Sequence, residues 1–183
     1  MQVKGNLFVP SKVRYVRGDK SADGRLKMRR GGLECILCAI IARDKRVESL
    51  EICRTNLFCV CANLYPYNPG HLMVFPLRHV EDLRRMTGKE AAELFALEKI
   101  AMDILEEMYQ PHGYNIGYNL GECGGNSIQH IHLHIVPRFK NELGFVDILS
   151  SSRIIVDDPR SSLPRLRRLF SKKLRIKRIL KSG

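Results

Sequence analysis

Asn126-Ser-Ile-Gln-His-Ile-His-Leu-His-Ile-Val-Pro137 alternates three histidines, His130, His132 and His134, with Ile131, Leu133 and Ile135. Period-two alternation is the mark of a half-buried strand, whose successive side chains point to opposite faces. The pattern predicts a strand over residues 130–136, with three imidazoles on one face and the aliphatic side chains in a core. Pro137 lacks a backbone donor and is expected to end the pairing. Upstream, Gly117, Gly121, Gly124 and Gly125 make a loop in which backbone amides can approach an anion closely. A surface strand with chance histidines, or a metal-binding patch, is the plainer alternative. Three imidazoles on one face beside a glycine-rich loop instead favour nucleophilic or acid–base chemistry at a phosphate.

Outward from that strand, residues 113–119 read as its partner across the loop. Residues 89–109 read as one long helix, with Thr87 and Glu90 as a capping box and Leu94, Leu97, Ala101, Ile104, Leu105 and Met108 as its apolar stripe. Pro111 and Gly113 stop it. Residues 49–53, 57–64 and 71–76 read as further strands, the last two joined by the turn Tyr65-Pro-Tyr-Asn-Pro-Gly70. Residues 39–43 could be a short helix, residues 13–16, 145–149 and 153–156 short extended segments. Ser161 or Ser162 could cap a basic helix from residue 164 to about residue 180. Hairpins, one long helix, then another hairpin predict an α+β domain with an antiparallel sheet.

The net charge of +12 over 183 residues is unevenly placed. Residues 1–30 hold nine Lys/Arg and two Asp, residues 159–183 hold ten Lys/Arg and no acid, and the middle holds twelve basic against seventeen acidic residues. A mildly acidic domain over residues 33–158 is thus expected between a basic arm (1–32) and a basic extension (159–183). The extension mixes Leu, Ile and Phe with its cations as an amphipathic helix would. Docking on the acidic domain, binding RNA or DNA phosphates, and lying on an anionic membrane surface compete for it. No apolar run is long enough to span a bilayer and no secretory leader is recognisable, so a cytoplasmic protein without a transmembrane segment is expected. The six cysteines are then read as thiols or metal ligands. Cys35-Ile-Leu-Cys38 is half a metal site, a redox pair, or two buried thiols. Cys59 and Cys61, on one strand face, are an alternative pair.

The run His130-Ile-His-Leu-His-Ile-Val136 closely resembles the motif of the histidine triad superfamily of nucleotidyl hydrolases and transferases, and Asn63-Leu-Tyr-Pro-Tyr-Asn-Pro-Gly-His71 resembles a second signature of it. The resemblance covers roughly residues 33–158. It implies the same α+β fold, a homodimer joined through the helix and sheet edge, and a nucleotide substrate. It implies that His132 is the nucleophile and becomes nucleotidylated, with a main-chain carbonyl near His130 orienting its ring and His134 touching phosphate oxygens. His71 would be a fourth imidazole supporting the catalytic ring. Asn63 would bind the ribose, while Asn119, Gly125, Asn126 and Ser127 would face the phosphates, Ser127 also the departing oxygen. Gly124 and Gly125 would offer amides as an oxyanion hole. Phe58, with Leu57, Cys59 and Cys61, could wall the base pocket. Zinc-binding relatives place their ligands where this chain has Cys35, Cys38, His79 and His130, a closed set for structural zinc.

Within the superfamily the turn at residues 65–70 and the run Gly144-Phe-Val-Asp-Ile-Leu look most like the diadenosine polyphosphate hydrolases and phosphorylases. A nucleoside phosphoramidase or adenylate-removing enzyme, and a zinc-stabilised nucleotide- or RNA-binding module, are the other expectations. Arg78, Arg138 and Lys140 are candidates to hold a phosphate acceptor.

Overall fold

A computed structural model describes residues 35–121, 123–140, 142 and 158–179. The segments expected at residues 13–16, 145–149 and 153–156 lie outside them. Strands β1 (Glu51–Arg54), β2 (Phe58–Ala62), β3 (Leu72–Pro76), β4 (Gly113–Tyr118) and β5 (Leu133–Arg138) form one antiparallel sheet in the order β1-β2-β3-β5-β4. Among the described residues three α-helices join it: α1 (Ile36–Ile41), α2 (Gly88–Tyr109) and α3 (Pro159–Ile179). This is the α+β arrangement that the hairpin and helix pattern predicts. Among the described residues no helix is long and apolar enough to cross a membrane.

Alternation sorts the sheet into two unlike faces. Phe58, Val60, Ala62, Leu72, Val74, Leu133 and Ile135 pack with Leu94, Leu97 and Ile104 of α2. The side chains between them, Cys59, Cys61 and Phe75, meet Leu37 and Ile40 of α1 on the other face. Phe58 is therefore fully buried core beneath α2 and walls no base pocket, which corrects that expectation. Cys59 and Cys61 lie buried with their sulfurs 3.7 Å apart, in the apolar cluster under α1.

Helix α2 starts at its capping box: Thr87 Oγ1 accepts from Glu90 N at 3.3 Å, and Glu90 Oε2 accepts from Thr87 N at 2.7 Å. It stops where Gln110 turns left-handed (φ 46°) ahead of Pro111. Gly70 (φ +76°) presses the preceding turn onto the end of α2. A Cβ there would sit 2.8 Å from the Tyr109 ring and 2.9 Å from Leu105, so only glycine fits.

Helix α3 belongs to the same layer. Leu163, Leu166, Leu169 and Phe170 are buried in the core shared with α2 and β1. Its flanks are tied down by Arg160 to Glu48 (2.7 Å), Arg167 Nε to the Glu51 carbonyl (2.8 Å) and Lys173 to Asp103 (3.0 Å). The apolar face of the basic extension thus docks on the domain. The helix begins at residue 159, earlier than the serines suggest, because Pro159 suits a first helical position and Asp158 Oδ1 accepts from Arg160 N at 2.9 Å.

Strand β5 departs from its sequence reading at both ends. It starts at Leu133, because Ile131 N donates to Val80 O at 2.6 Å, beyond the end of β3, and draws residues 130–132 out of the ladder. It runs through Pro137, opposite Tyr114, to Arg138. Proline is tolerated because β3, paired no further than Leu72 with Ile135, has given out on that side. The Pro137 carbonyl there accepts from Asn68 Nδ2 at 2.6 Å instead.

Candidate active site and metal centre

On the α1 face, residues from four strand ends converge. His134 projects from β5 opposite Gly117 of β4. His71 enters just before β3 and Asn63 just after β2, both in phase with the α1-side residues of their strands. Asn119 follows β4. The imidazoles of His132 and His134 lie 4.7 Å apart between centroids, those of His71 and His134 5.1 Å. His71, His130 and His132 are all buried.

The hydrogen-bond partners of these ring nitrogens fix where the protons sit. His132 Nδ1 lies 2.8 Å from the His130 carbonyl, which can only accept. Nδ1 therefore carries the hydrogen, and the Nε2 lone pair is left for chemistry. Burial lowers the pKa of His132, keeping the ring neutral. A second chain starts at the backbone: Tyr67 N donates to His71 Nδ1 at 3.1 Å. His71 Nε2 must then hold a proton and donate to His134 Nδ1, 2.9 Å away. His134 Nε2 then carries the hydrogen and lies 3.5 Å from the Asn119 side-chain amide. Asn63 lies beside His71, its Nδ2 3.3 Å from His71 Nε2, and its Oδ1 accepts from Tyr65 N at 2.9 Å.

His130 turns the other way, into a cluster with Cys35, Cys38 and His79 whose ligand atoms all lie within 4.8 Å of one another. His130 Nε2 donates to the Pro76 carbonyl at 3.0 Å, so its Nδ1 lone pair faces the thiols, 3.6 Å from Cys35 Sγ and 3.5 Å from Cys38 Sγ. His79 Nδ1 stands 3.3 Å from Cys38 Sγ, and its Nε2 is held by Glu81 at 3.2 Å. A tetrahedral ion with legs of about 2.0–2.3 Å needs ligand separations of roughly 3.3–3.8 Å, and the three Cys–His contacts at 3.3, 3.5 and 3.6 Å fall in that range. Burial, with His79 nearby, pulls His130 down to about 4, so it is the neutral base that a metal requires. Burial and the neighbouring Cys35 push the Cys38 thiol up to about 12. A cation among these four groups would relieve that cost by stabilising thiolate. The four residues together could hold a metal ion.

The loop residues are arranged differently. Gly124 N and Asn126 N both donate to the Gly121 carbonyl, at 3.2 and 3.1 Å, and Asn126 Oδ1 accepts from Ile128 N at 3.0 Å. The Gly124 amide is thus committed to the turn and offers no oxyanion donor, a correction. A Cβ at Gly124 would lie 2.2 Å from the Leu120 carbonyl, so tight turning explains this glycine. Gly125 (φ +79°) and Ser127 are exposed at the site's upstream border. The two arginines expected to hold a phosphate acceptor are paired instead. Arg78 grips Glu90 with two bonds of 2.6 and 2.8 Å, and Arg138 grips Glu142 with two of 2.7 and 2.6 Å. Lys140 is exposed.

Sequence reasoning missed Tyr67 and Asn68. Tyr67 stacks on His71 with centroids 4.9 Å apart, and Asn68 is buried, bonding the Pro137 carbonyl and Glu142. Both sit in a run whose prolines and glycine signal only a turn.

Residues 44–141 match the HIT domain family. Over 109 residues the chain is 43% identical to the AP-4-A phosphorylase of Mycobacterium tuberculosis (strain ATCC 25618 / H37Rv), covering 59% of this chain and 56% of that protein. Over 105 residues it is 34% identical to the bis(5'-nucleosyl)-tetraphosphatase [asymmetrical] of Schizosaccharomyces pombe, covering 57% of this chain and 58% of that one. The chain spans less than two thirds of the length of these relatives. Among solved structures, a Zn-bound histidine triad family protein from Mycobacterium smegmatis superposes with a TM-score of 0.62 at 27% identity, over 78% of this chain and 96% of that one.

Proposed function

The chain belongs to the HIT domain family, and on that premise we propose that it cleaves a nucleoside 5′-phosphoryl bond of a diadenosine polyphosphate through a covalent intermediate on His132. The observation that carries this reading is the 2.8 Å bond from His132 Nδ1 to the His130 carbonyl, which leaves Nε2 nucleophilic in a ring that burial keeps neutral. Nε2 attacks the phosphorus; the P–N bond forms as the bond to the leaving phosphate oxygen breaks. His134 Nε2–H, set by the His71 relay, donates to a phosphate oxygen, and Ser127 to the departing one. Asn119, Gly125 and Asn126 border the phosphates and Asn63 the ribose. An acceptor then attacks the same phosphorus, the P–N bond breaks, and His132 returns to its neutral state.

The M. tuberculosis relative is named a phosphorylase and the S. pombe relative a tetraphosphatase, which makes phosphate the first acceptor to test and water the second. With diadenosine tetraphosphate, ADP plus ATP formed only with phosphate establishes phosphorolysis. AMP plus ATP regardless of phosphate establishes hydrolysis. Cleavage of an adenosine phosphoramidate alone would make the protein a phosphoramidase, and nucleotide binding without any cleavage would overturn the enzyme reading.

Cys35, Cys38, His79 and His130 would hold zinc. Four protein ligands close its coordination, so the ion supplies rigidity rather than an activated water. The Zn-bound neighbour supports this assignment. A homodimer joined along the edge strand β4 and α2, in the cytoplasm, completes the reading.

A further inference from the structure

We propose that the outward face of α3 is a docking surface for the phosphate backbone of a nucleic acid. The helix sorts its cations into two sets. Arg160, Arg167 and Lys173 flank the buried face and are bonded to Glu48, the Glu51 carbonyl and Asp103. Arg165, Arg168, Lys172 and Arg175 are exposed, and among the described residues none of them reaches a carboxylate. At 3.6 residues per turn these four positions fall within about 80° of arc, facing away from Leu166 and Phe170, along a line about 15 Å long.

That line carries a cost. Like charges three and four residues apart oppose one another on a helix, and a merely solvated face usually offsets them with Glu or Asp. Residues 159–183 hold no acid at all. An anionic partner of matching length removes the repulsion. Phosphates recur about every 3.4 Å of axis along one strand of a duplex, so about four of them face a 15 Å line. A membrane fits less well. Peripheral helices insert an apolar face beside their cations, and here Leu163, Leu166, Leu169 and Phe170 are spent in the core. The surface lies on the side of the sheet that α2 and α3 cover, opposite the α1 face that carries the histidines.

The test is fluorescence anisotropy of the full chain with a labelled DNA duplex across a range of salt. Arg165→Gln/Arg168→Gln/Lys172→Gln/Arg175→Gln should lower the slope of log affinity against log salt by about 3 to 4, at roughly 0.9 for each phosphate no longer neutralised. Gln retains helix propensity, and circular dichroism checks that the fold persists. Arg165→Lys/Arg168→Lys/Arg175→Lys should keep the slope, which preserves the test if the Gln variant is damaged. Arg160→Gln/Arg167→Gln/Lys173→Gln should reduce it less than the stripe variant does. An unchanged slope in the stripe variant overturns the proposal, as does an equal fall in both Gln variants. Binding to phosphatidylserine vesicles but not to the duplex overturns it as well.

Discussion

Leu133 and Ile135 point from β5 into the helices, while His134 points the other way, beside His132 and His71. Both sets of side chains come from one alternating run, yet they are held by different physics. Burial on the helix side is non-directional, so volume and apolarity suffice. On the histidine side hydrogen-bond partners fix where the protons reside, and His132 Nε2 is the nitrogen left open for chemistry. Among the described residues no buried side-chain nitrogen or oxygen lacks a hydrogen bond. One face should therefore respond to substitution gradually in stability, the other abruptly in chemistry.

The largest effect should come from His132→Ala. Removing the nucleophile closes the covalent path, so turnover should fall by at least about 10⁴-fold. Nucleotide affinity should stay within a few-fold and the melting temperature should change little. Rapid quench with radiolabelled dinucleotide should trap label on the native protein and none on the variant; persistent turnover would rule out the covalent mechanism.

Next is Cys35→Ser/Cys38→Ser. Elemental analysis should show zinc falling from about one per chain to none, with a lower melting temperature, because binding energy at such a site is folding energy. Zinc absent from the native protein after growth in zinc-replete medium would refute the assignment. The other face is broken by Phe170→Ala, expected to cost about 3–5 kcal/mol in denaturant titration while turnover per folded molecule is kept. Equal loss of turnover would mean that the two faces are not separable. For the same reason, deleting residues 160–183 should unfold or precipitate the domain rather than leave a clean active core.

The smallest effect is a pH limb. Arg78, with Thr87, holds Glu90 down to about 2, below its ordinary 4.5. A lowered carboxylate contributes stability that is complete above its unfolded value and is lost as pH falls from about 4.5 toward 2. Urea midpoints should drop over that window, and Glu90→Gln should flatten the drop. An identical pH profile in the variant would show that other carboxylates carry it.

Much of the fold is legible in the residues alone. The capping box at Thr87 and Glu90 places the start of α2 within a residue, and alternation places the faces of β2, β3 and β5. What period two cannot report is which backbone a strand end bonds. Ile131 leaning on Val80, and Asn68 meeting the Pro137 carbonyl, join segments far apart in sequence. Cations past a strand look alike on paper; Arg78 is paired because Glu90 arrives at the start of α2, and Arg138 because the chain turns Glu142 back onto it four residues later. Glycines next to a triad suggest anion binding, but at Gly124 the geometry of a tight turn accounts for the residue.

The packing of α3 has a consequence during synthesis. Phe170 leaves the ribosome about sixty residues after Tyr109, which at 5–20 residues per second is a delay of roughly 3–12 s. Through that interval the surface of α2 and β1 that α3 will cover stays open to solvent, available to any apolar surface nearby. A nascent chain of this protein should therefore depend on chaperone shielding late, and ribosomal pausing after α2 should lengthen the window in which it can aggregate.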